Sequence, residues 1–242
     1  FFLETPSNPT LEVIDIAAVA AISQRAGAML VVDNVFATPV LQKPLELGAD
    51  IVVYSGTKHI DGQGRVLGGA ILGSEAFKED NLKPMLRHTG PTLSPFNAWV
   101  MLKGLETLKL RVEAQSASAL KVASALEAMD AVSRVWYPGL PSHPQYELCQ
   151  RQMKAGSTLI AFEIKGGKKA AFRAMAALRI IDISNNLGDA KSLITHPAST
   201  THRAIGDKAR AEMGISGSLL RLSAGLEDTT DLIGDLEQAF RS

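Results

Sequence analysis

Apolar residues change period several times along this chain, and each change marks an expected element. The opening run Phe1 to Glu4 is stopped by Thr5, Pro6, Ser7, Asn8 and Pro9, where two X-Pro bonds forbid helix, so a strand followed by a loop is expected. From Leu11 to Ala26, residues Val13, Ile14, Ala17, Ala18, Ala21 and Ile22 recur at helical spacing, and Gly27 stands where a left-handed C-cap residue belongs. That spacing predicts a helix of about four turns. Met29 to Asp33 and Ala49 to Tyr54 are continuous β-branched runs of the kind buried on both faces of a parallel sheet, and Gly68 to Gly73 reads as a further strand. Strands and helices alternate, so the fold class is α/β.

Beyond that point the pattern lengthens. Pro95 to about Met129 carries Leu, Val and Ala at helical intervals and predicts one long helix with a weak point at Gly104. Trp136 to Pro144 is a loop on composition, and Leu159 to Ile164, Ala170 to Leu178 and Leu219 to Ser223 predict strand, helix and strand. Two units are expected: residues 1–119, ending in the long helix, and a smaller α/β unit over 120–242.

Composition narrows the function. Lys plus Arg number 25 and Asp plus Glu number 25 among 242 residues, so there is no net field to draw the chain onto nucleic acid or anionic lipid. No apolar run is long enough for a membrane span. The single cysteine, Cys149, cannot close an internal disulfide, and its polar neighbours Glu147, Gln150 and Arg151 place it on a helix surface or edge. A reducing cytoplasm is the expected location. The chain opens without an initiator Met or a leader pattern and is expected to begin within a longer protein.

The chemistry gathers by position. Asn8, Asp33 and the group Ser55, Thr57 and Lys58 each follow the carboxyl end of a successive expected strand, the edge at which open parallel sheets bind ligands. Alone, each has an ordinary alternative, since a lysine is usually solvated and an Asp after a strand usually forms a turn. A partly buried Lys58 would have a lowered pKa and a free lone pair able to form an imine with a carbonyl compound. Asp33 could hold a protonated ring nitrogen, a pairing suited to pyridoxal phosphate, while Ser55 and Thr57 offer hydroxyls to a phosphate. On the strand Leu219 to Ser223, Arg221 alternates with Leu220 and Leu222 and either is solvated or presents a rigid fork to a carboxylate.

Three competing motifs fail on context. Ser55 to Lys58 fits S-x-x-K, but the later partners of that serine chemistry come in the reverse chain order. Gly62 to Gly68 imitates a dinucleotide loop but is one residue too long and precedes a strand. His196 and His202 are wrongly spaced for zinc on one helical face and read as capping or substrate-side groups.

The phrases Asp33 to Pro39, Leu45 to Val53 and Ser55 to Lys58, with His88 to Trp99, Asn185 to Leu193 and Arg221 to Asp228, resemble the cysteine and methionine metabolism family of pyridoxal-phosphate enzymes over nearly the whole chain. The resemblance implies fold type I: a mostly parallel, seven-stranded large domain and a smaller C-terminal α/β domain, with the family's N-terminal portion absent from this sequence. It implies Lys58 as the Schiff-base lysine, Asp33 on the pyridine nitrogen, Ser55 and Thr57 on the phosphate and Asn8 near the ring hydroxyl. Arg221 would clamp the substrate α-carboxylate, and Asn186 would line the substrate pocket. Tyr54 stands where several members carry His.

The implied activity is replacement of succinate on O-succinylhomoserine by sulfide to give homocysteine, a step of methionine biosynthesis. The alternatives are a cystathionine γ-synthase or γ-lyase type of reaction, or an inert fragment serving in assembly. The implied assembly is a homotetramer built as a dimer of dimers, with a small amino-acid substrate, no metal, and neither nucleic acid nor membrane as partner.

Overall fold

In a computed structural model that describes residues 1–241, the chain forms two sheets joined along one helix. The first sheet has the order β1 (Phe2–Glu4), β2 (Val31–Asp33), β3 (Ile51–Ser55) and β4 (Gly69–Leu72). β1, β2 and β3 run parallel in register Leu3, Val32, Val52, so three carboxyl ends share one edge, and β4 returns antiparallel with Val53 opposite Ile71. The implied large domain has seven strands; four are in this chain.

Helix α1 (Ile16–Arg25) is shorter than the pattern predicts. Asp15 caps it by accepting from Ala18 N, and Gly27 takes φ +63 past its end. Residues 11–15 are not helical, because Leu11 and Val13, fully buried, turn into the interface with the second half, beside Phe36 and Leu159 and beside Leu108 and Met153 respectively. Short helices α2 (Thr38–Leu41), α3 (Glu75–Phe77) and α4 (Lys83–Thr89) fill the connections.

The long helix α5 (Pro95–Ala128) runs through Gly104 without a break. At one end its Val100 and Met101 join the core of Ile16, Leu30, Val32 and Val52. At the other, Ala119, Val122, Ala123 and Leu126 join Ile160, Phe162, Leu220, Leu222, Leu232 and Leu236. Burial of one helix in both cores fixes the two halves against each other.

The second sheet has the order β5 (Val132–Trp136), β6 (Leu159–Ile164), β9 (Leu219–Ser223), β8 (Leu193–Thr195) and β7 (Asp182–Ile183). Helices α6 (Tyr146–Gln152), α7 (Gly167–Ala177), α8 (Gly206–Glu212) and α9 (Thr229–Phe240) complete it. Cys149 on α6 corrects the expectation of a surface thiol: it is fully buried with Val13, Leu41 and Val112. Adjacent helical residues point about 100° apart, so the exposed Gln150 and Arg151 say nothing about the face Cys149 takes. No helix among the described residues is long and apolar enough to cross a membrane.

Candidate active site

Glu4, Asp33 and Ser55 end the three parallel strands, and Glu4 pairs in register with Asp33. After Ser55 the chain makes one wide turn, Gly56–Ile60, closed by Asp61 N donating to Gly56 O across 2.9 Å and Gly62 N to Lys58 O across 2.7 Å. The backbone kinks at Lys58, and its side chain, half-buried, donates from Nζ to Asn186 Oδ1 across 2.5 Å. Burial, and then the positive charge of Arg221, push the Lys58 pKa below the ordinary lysine value.

Asp33 accepts from Val35 N across 3.0 Å, and among the described residues no cation is paired with it. Its pKa is raised by burial, which the Val35 N–H only partly offsets. Asp33 and Lys58 are thus not bonded to each other; each keeps a group free at the same sheet edge.

Arg221 is 1% exposed, which rules out the solvated alternative. Its Nη1 donates to Asn8 Oδ1 across 2.9 Å and its Nη2 to the carbonyls of Asn185 and Asn186 across 3.0 and 3.2 Å. Among the described residues Nε is buried with no partner. Burial lowers its pKa to about 10 against the opposing pull of Glu4. An arginine sunk this deeply without an ion pair is a cation awaiting an anion.

The other expected residues fall nearby. Thr57 Oγ1 accepts from Gly68 N across 3.3 Å, while the half-buried Ser55 hydroxyl has no hydrogen bond among the described residues. His202 lies against the backbone of Asn8 and near Arg221, with its pKa lowered first by burial. His196 is buried, with Nε2 donating to Gly217 O and Nδ1 hydrogen-bonded to Ser199 Oγ, a packing role. Tyr54 hydroxyl accepts from Asn34 Nδ2 across 2.9 Å.

Sequence reasoning missed Glu4, His59 and Arg111. Glu4 accepts from Asn8 N across 3.1 Å, and its pKa is raised by burial and, beyond that, by Asp33. His59 is fully buried, bonded at Nε2 to Thr158 Oγ1 across 2.8 Å, and held neutral with a pKa near 3 by burial and then by Arg111. A signal existed for Arg111: on α5 it interrupts the buried stripe of Leu108, Val112 and Ala119.

A cleft on the second sheet, lined by Arg134, Trp136, Lys168 and Arg210, takes in His196 but none of Asn8, Asp33, Ser55, Lys58, Asn186 or Arg221. Its carboxylates are already bonded, Glu163 to Ser216 and Asp207 to Arg210.

Residues 1–241 match the model of a family described as Cys/Met metabolism PLP-dependent enzyme. O-succinylhomoserine sulfhydrylase of Mycobacterium tuberculosis is 56% identical over 99% of this chain, and L-methionine gamma-lyase of Pseudomonas putida 45% over 100%. Cystathionine gamma synthase of Xanthomonas oryzae pv. oryzae, solved with aminoacrylate and cysteine, superposes with a TM-score of 0.96 at 41% identity over 99% of the chain. The chain spans 60%, 61% and 62% of these three proteins' lengths.

Proposed function

The chain belongs to the Cys/Met metabolism PLP-dependent enzymes, and on that premise we propose that its whole protein holds pyridoxal phosphate at Lys58 and performs γ-replacement on O-succinylhomoserine with sulfide. The observation that carries this reading is Lys58 itself, half-buried at the carboxyl edge of the sheet, depressed in pKa and hydrogen-bonded to a neutral amide instead of an acid. The residues around it fit the cofactor: Asp33 is a carboxylate without a cation, and the Ser55 hydroxyl is uncommitted. The buried, unpartnered Nε of Arg221 fits a substrate carboxylate.

When bound, pyridoxal phosphate supplies an electron sink for the pair left behind when a proton is taken from the substrate's α carbon. The neutral amine of Lys58 takes and returns protons at the substrate's α and β carbons, because its lowered pKa leaves more of it unprotonated near neutral pH. Asp33 holds a proton at the ring nitrogen. Asn8, with Oδ1 committed to Arg221, keeps its amide N–H groups for the ring hydroxyl oxygen. Arg221 fixes the α-carboxylate, and Ser55 and Thr57 donate to the phosphate. Asn186 lines the substrate side of Lys58.

In this reading residues 1–119 hold the cofactor and 120–242 form the small domain that brings Arg221 and Asn186. The whole protein in this reading is a cytoplasmic dimer of dimers, and the exposed Met85, Leu86, Phe96, Trp99 and Leu102 support self-association as such. The sulfhydrylase relative at 56% identity favours sulfide as the acceptor over the γ-lyase reaction of the relative at 45%.

The test uses the full-length protein: incubation with pyridoxal phosphate, borohydride reduction and peptide mass mapping, with the adduct expected on Lys58 and lost in Lys58→Ala. No adduct at Lys58 overturns the reading. Homocysteine from O-succinylhomoserine and sulfide is the expected product; cystathionine from cysteine as the sole productive acceptor, or 2-oxobutanoate without an acceptor, replaces the reaction named here.

A further inference from the structure

Two buried polar residues lie one turn apart on α5, Arg111 (7% exposed) and Gln115 (0% exposed). Their i, i+4 spacing points both to one side of the helix. Arg111 Nη1 donates to His59 O across 2.7 Å and Nη2 to Ile60 O across 3.3 Å, the carbonyls of the two residues directly after Lys58. The same guanidinium is tied to its own helix at Gly104 O and Thr107 Oγ1, across 2.8 and 3.1 Å. Gln115 Nε2 donates across 2.6 Å to Asp189 O, three residues past Asn186.

The two loops so held are the two whose side chains meet, Lys58 Nζ on Asn186 Oδ1, and Ala190 N donating to Gly62 O across 2.8 Å stitches them once more. The approach is close enough to require glycine. A Cβ at Gly104 would stand 2.0 Å from Ile60 O, one at Gly62 2.1 Å from Arg111 Nη1, and one at Gly188 2.7 Å from His59 N.

We infer that Arg111 and Gln115 are positioning residues, a pair of clamps on one helix that fixes the turn bearing Lys58 against the loop bearing Asn186 and so sets where the lysine nitrogen stands. A buried guanidinium is costly unless several acceptors converge on it. Here three carbonyls and a hydroxyl do, and Asp61 and Asp189 offset part of what burial, and then the charge of Arg65, cost the cation. A group that only glued helix to loop could be bonded anywhere along the turn; Arg111 is bonded directly after the reactive lysine, and Gln115 three residues past Asn186, the hydrogen-bond partner of Lys58 among the described residues. Released from the clamps, Lys58 swings away from Asn186 and Arg221 into water, and its amine recovers ordinary lysine behaviour.

The inference rests on the reading of Lys58 as the reactive amine, but its test needs neither cofactor nor turnover. The intact protein, freed of cofactor, is labelled with trace acetic anhydride across pH 7 to 11, and the acetylation of Lys58 is compared by peptide mapping with that of exposed Lys169. The variants are Arg111→Met, Arg111→Lys and Gln115→Met. In the parent, Lys58 is expected to titrate below the ordinary lysine value. In Arg111→Met and Gln115→Met its labelling relative to Lys169 at pH 8 should fall about threefold, the equivalent of about half a pKa unit, with Arg111→Lys in between.

A role confined to packing lowers the melting temperature and leaves the pH profile of Lys58 in the folded variants unchanged, and that result overturns the inference. If Arg111→Met does not fold, Arg111→Lys and Gln115→Met decide it. A parent protein without the pyridoxal-phosphate adduct sinks the proposed function instead, while leaving the labelling profiles to judge the clamps.

Discussion

Arg221 Nη1 donates to Asn8 Oδ1 across 2.9 Å, joining residues 213 positions apart at the two ends of the chain. The bond places the guanidinium at the carboxyl edge of a sheet to which its own strand does not belong. It also decides what Asn8 can do, since the oxygen is used and the amide nitrogen is not.

That relationship predicts the outcome of two substitutions. Asn8→Ala leaves Nη1 of a buried cation without its side-chain acceptor and should cost about 1–3 kcal/mol, read as a lowered melting temperature. Asn8→Asp supplies Arg221 with a resident carboxylate. It should therefore compete with the substrate's own, raising KM for the amino-acid substrate about tenfold or more, roughly 1.4 kcal/mol, while stability is kept. An unchanged KM in Asn8→Asp would remove Arg221 from substrate binding.

Two glycine-to-alanine changes in helices should have opposite signs. At Gly234 on α9 nothing lies within 4 Å of the added Cβ, so the helix gains about 0.5–1 kcal/mol from lost unfolded-state freedom. At Gly104 on α5 the same gain is outweighed by the contact with Ile60 O, since overpacking costs about 1–3 kcal/mol. Chemical denaturation of the two variants should place one above the parent and one below it.

Asp235 on α9 accepts from Arg179 N, Ile180 N and Ile181 N at 2.9, 2.9 and 3.0 Å. Burial pushes its pKa up, but the three backbone donors, with Gln238, more than reverse this, and the folded value lies below that of a free carboxylate. The stability it gives is full above the unfolded carboxylate value and is lost as pH falls through the folded one. Asp235→Asn should therefore cost about 1–3 kcal/mol near pH 7, with the gap to the parent closing below about pH 4. A pH-independent gap in urea titrations would contradict the assignment.

Cys149 is fully buried, and burial raises its thiol to a pKa of about 11. Thiolate reagents should leave it untouched in the native protein at pH 8 and modify it only as the chain opens. Its modification rate should follow global unfolding, and fast native-state labelling would place it nearer the surface than this fold allows.

Much of the fold was legible because it is written in local pattern. The β-branched runs ending at Asp33 and Tyr54 are strands, and the long apolar period after Pro95 is one helix. The pattern erred where an apolar residue was wanted by a distant partner. Leu11 and Val13 keep helical spacing with Ala17 and Ala21, yet they are drawn out of the helix to pack against the second half. Cys149 was misplaced because its sequence neighbours face elsewhere on the same helix.

By itself the sequence determined which residues end the parallel strands, and hence that Asp33, Ser55 and Lys58 share an edge, because strand ends are set by turn residues within a few positions. Tertiary structure alone decided that Lys58 meets Asn186, that Arg221 reaches Asn8, and that Arg111 closes on His59 and Ile60, pairs separated by 128, 213, 52 and 51 residues. Periodicity reports which face of an element is buried. What that face is buried against is settled only when two cores close on one helix, and the candidate site lies where they do.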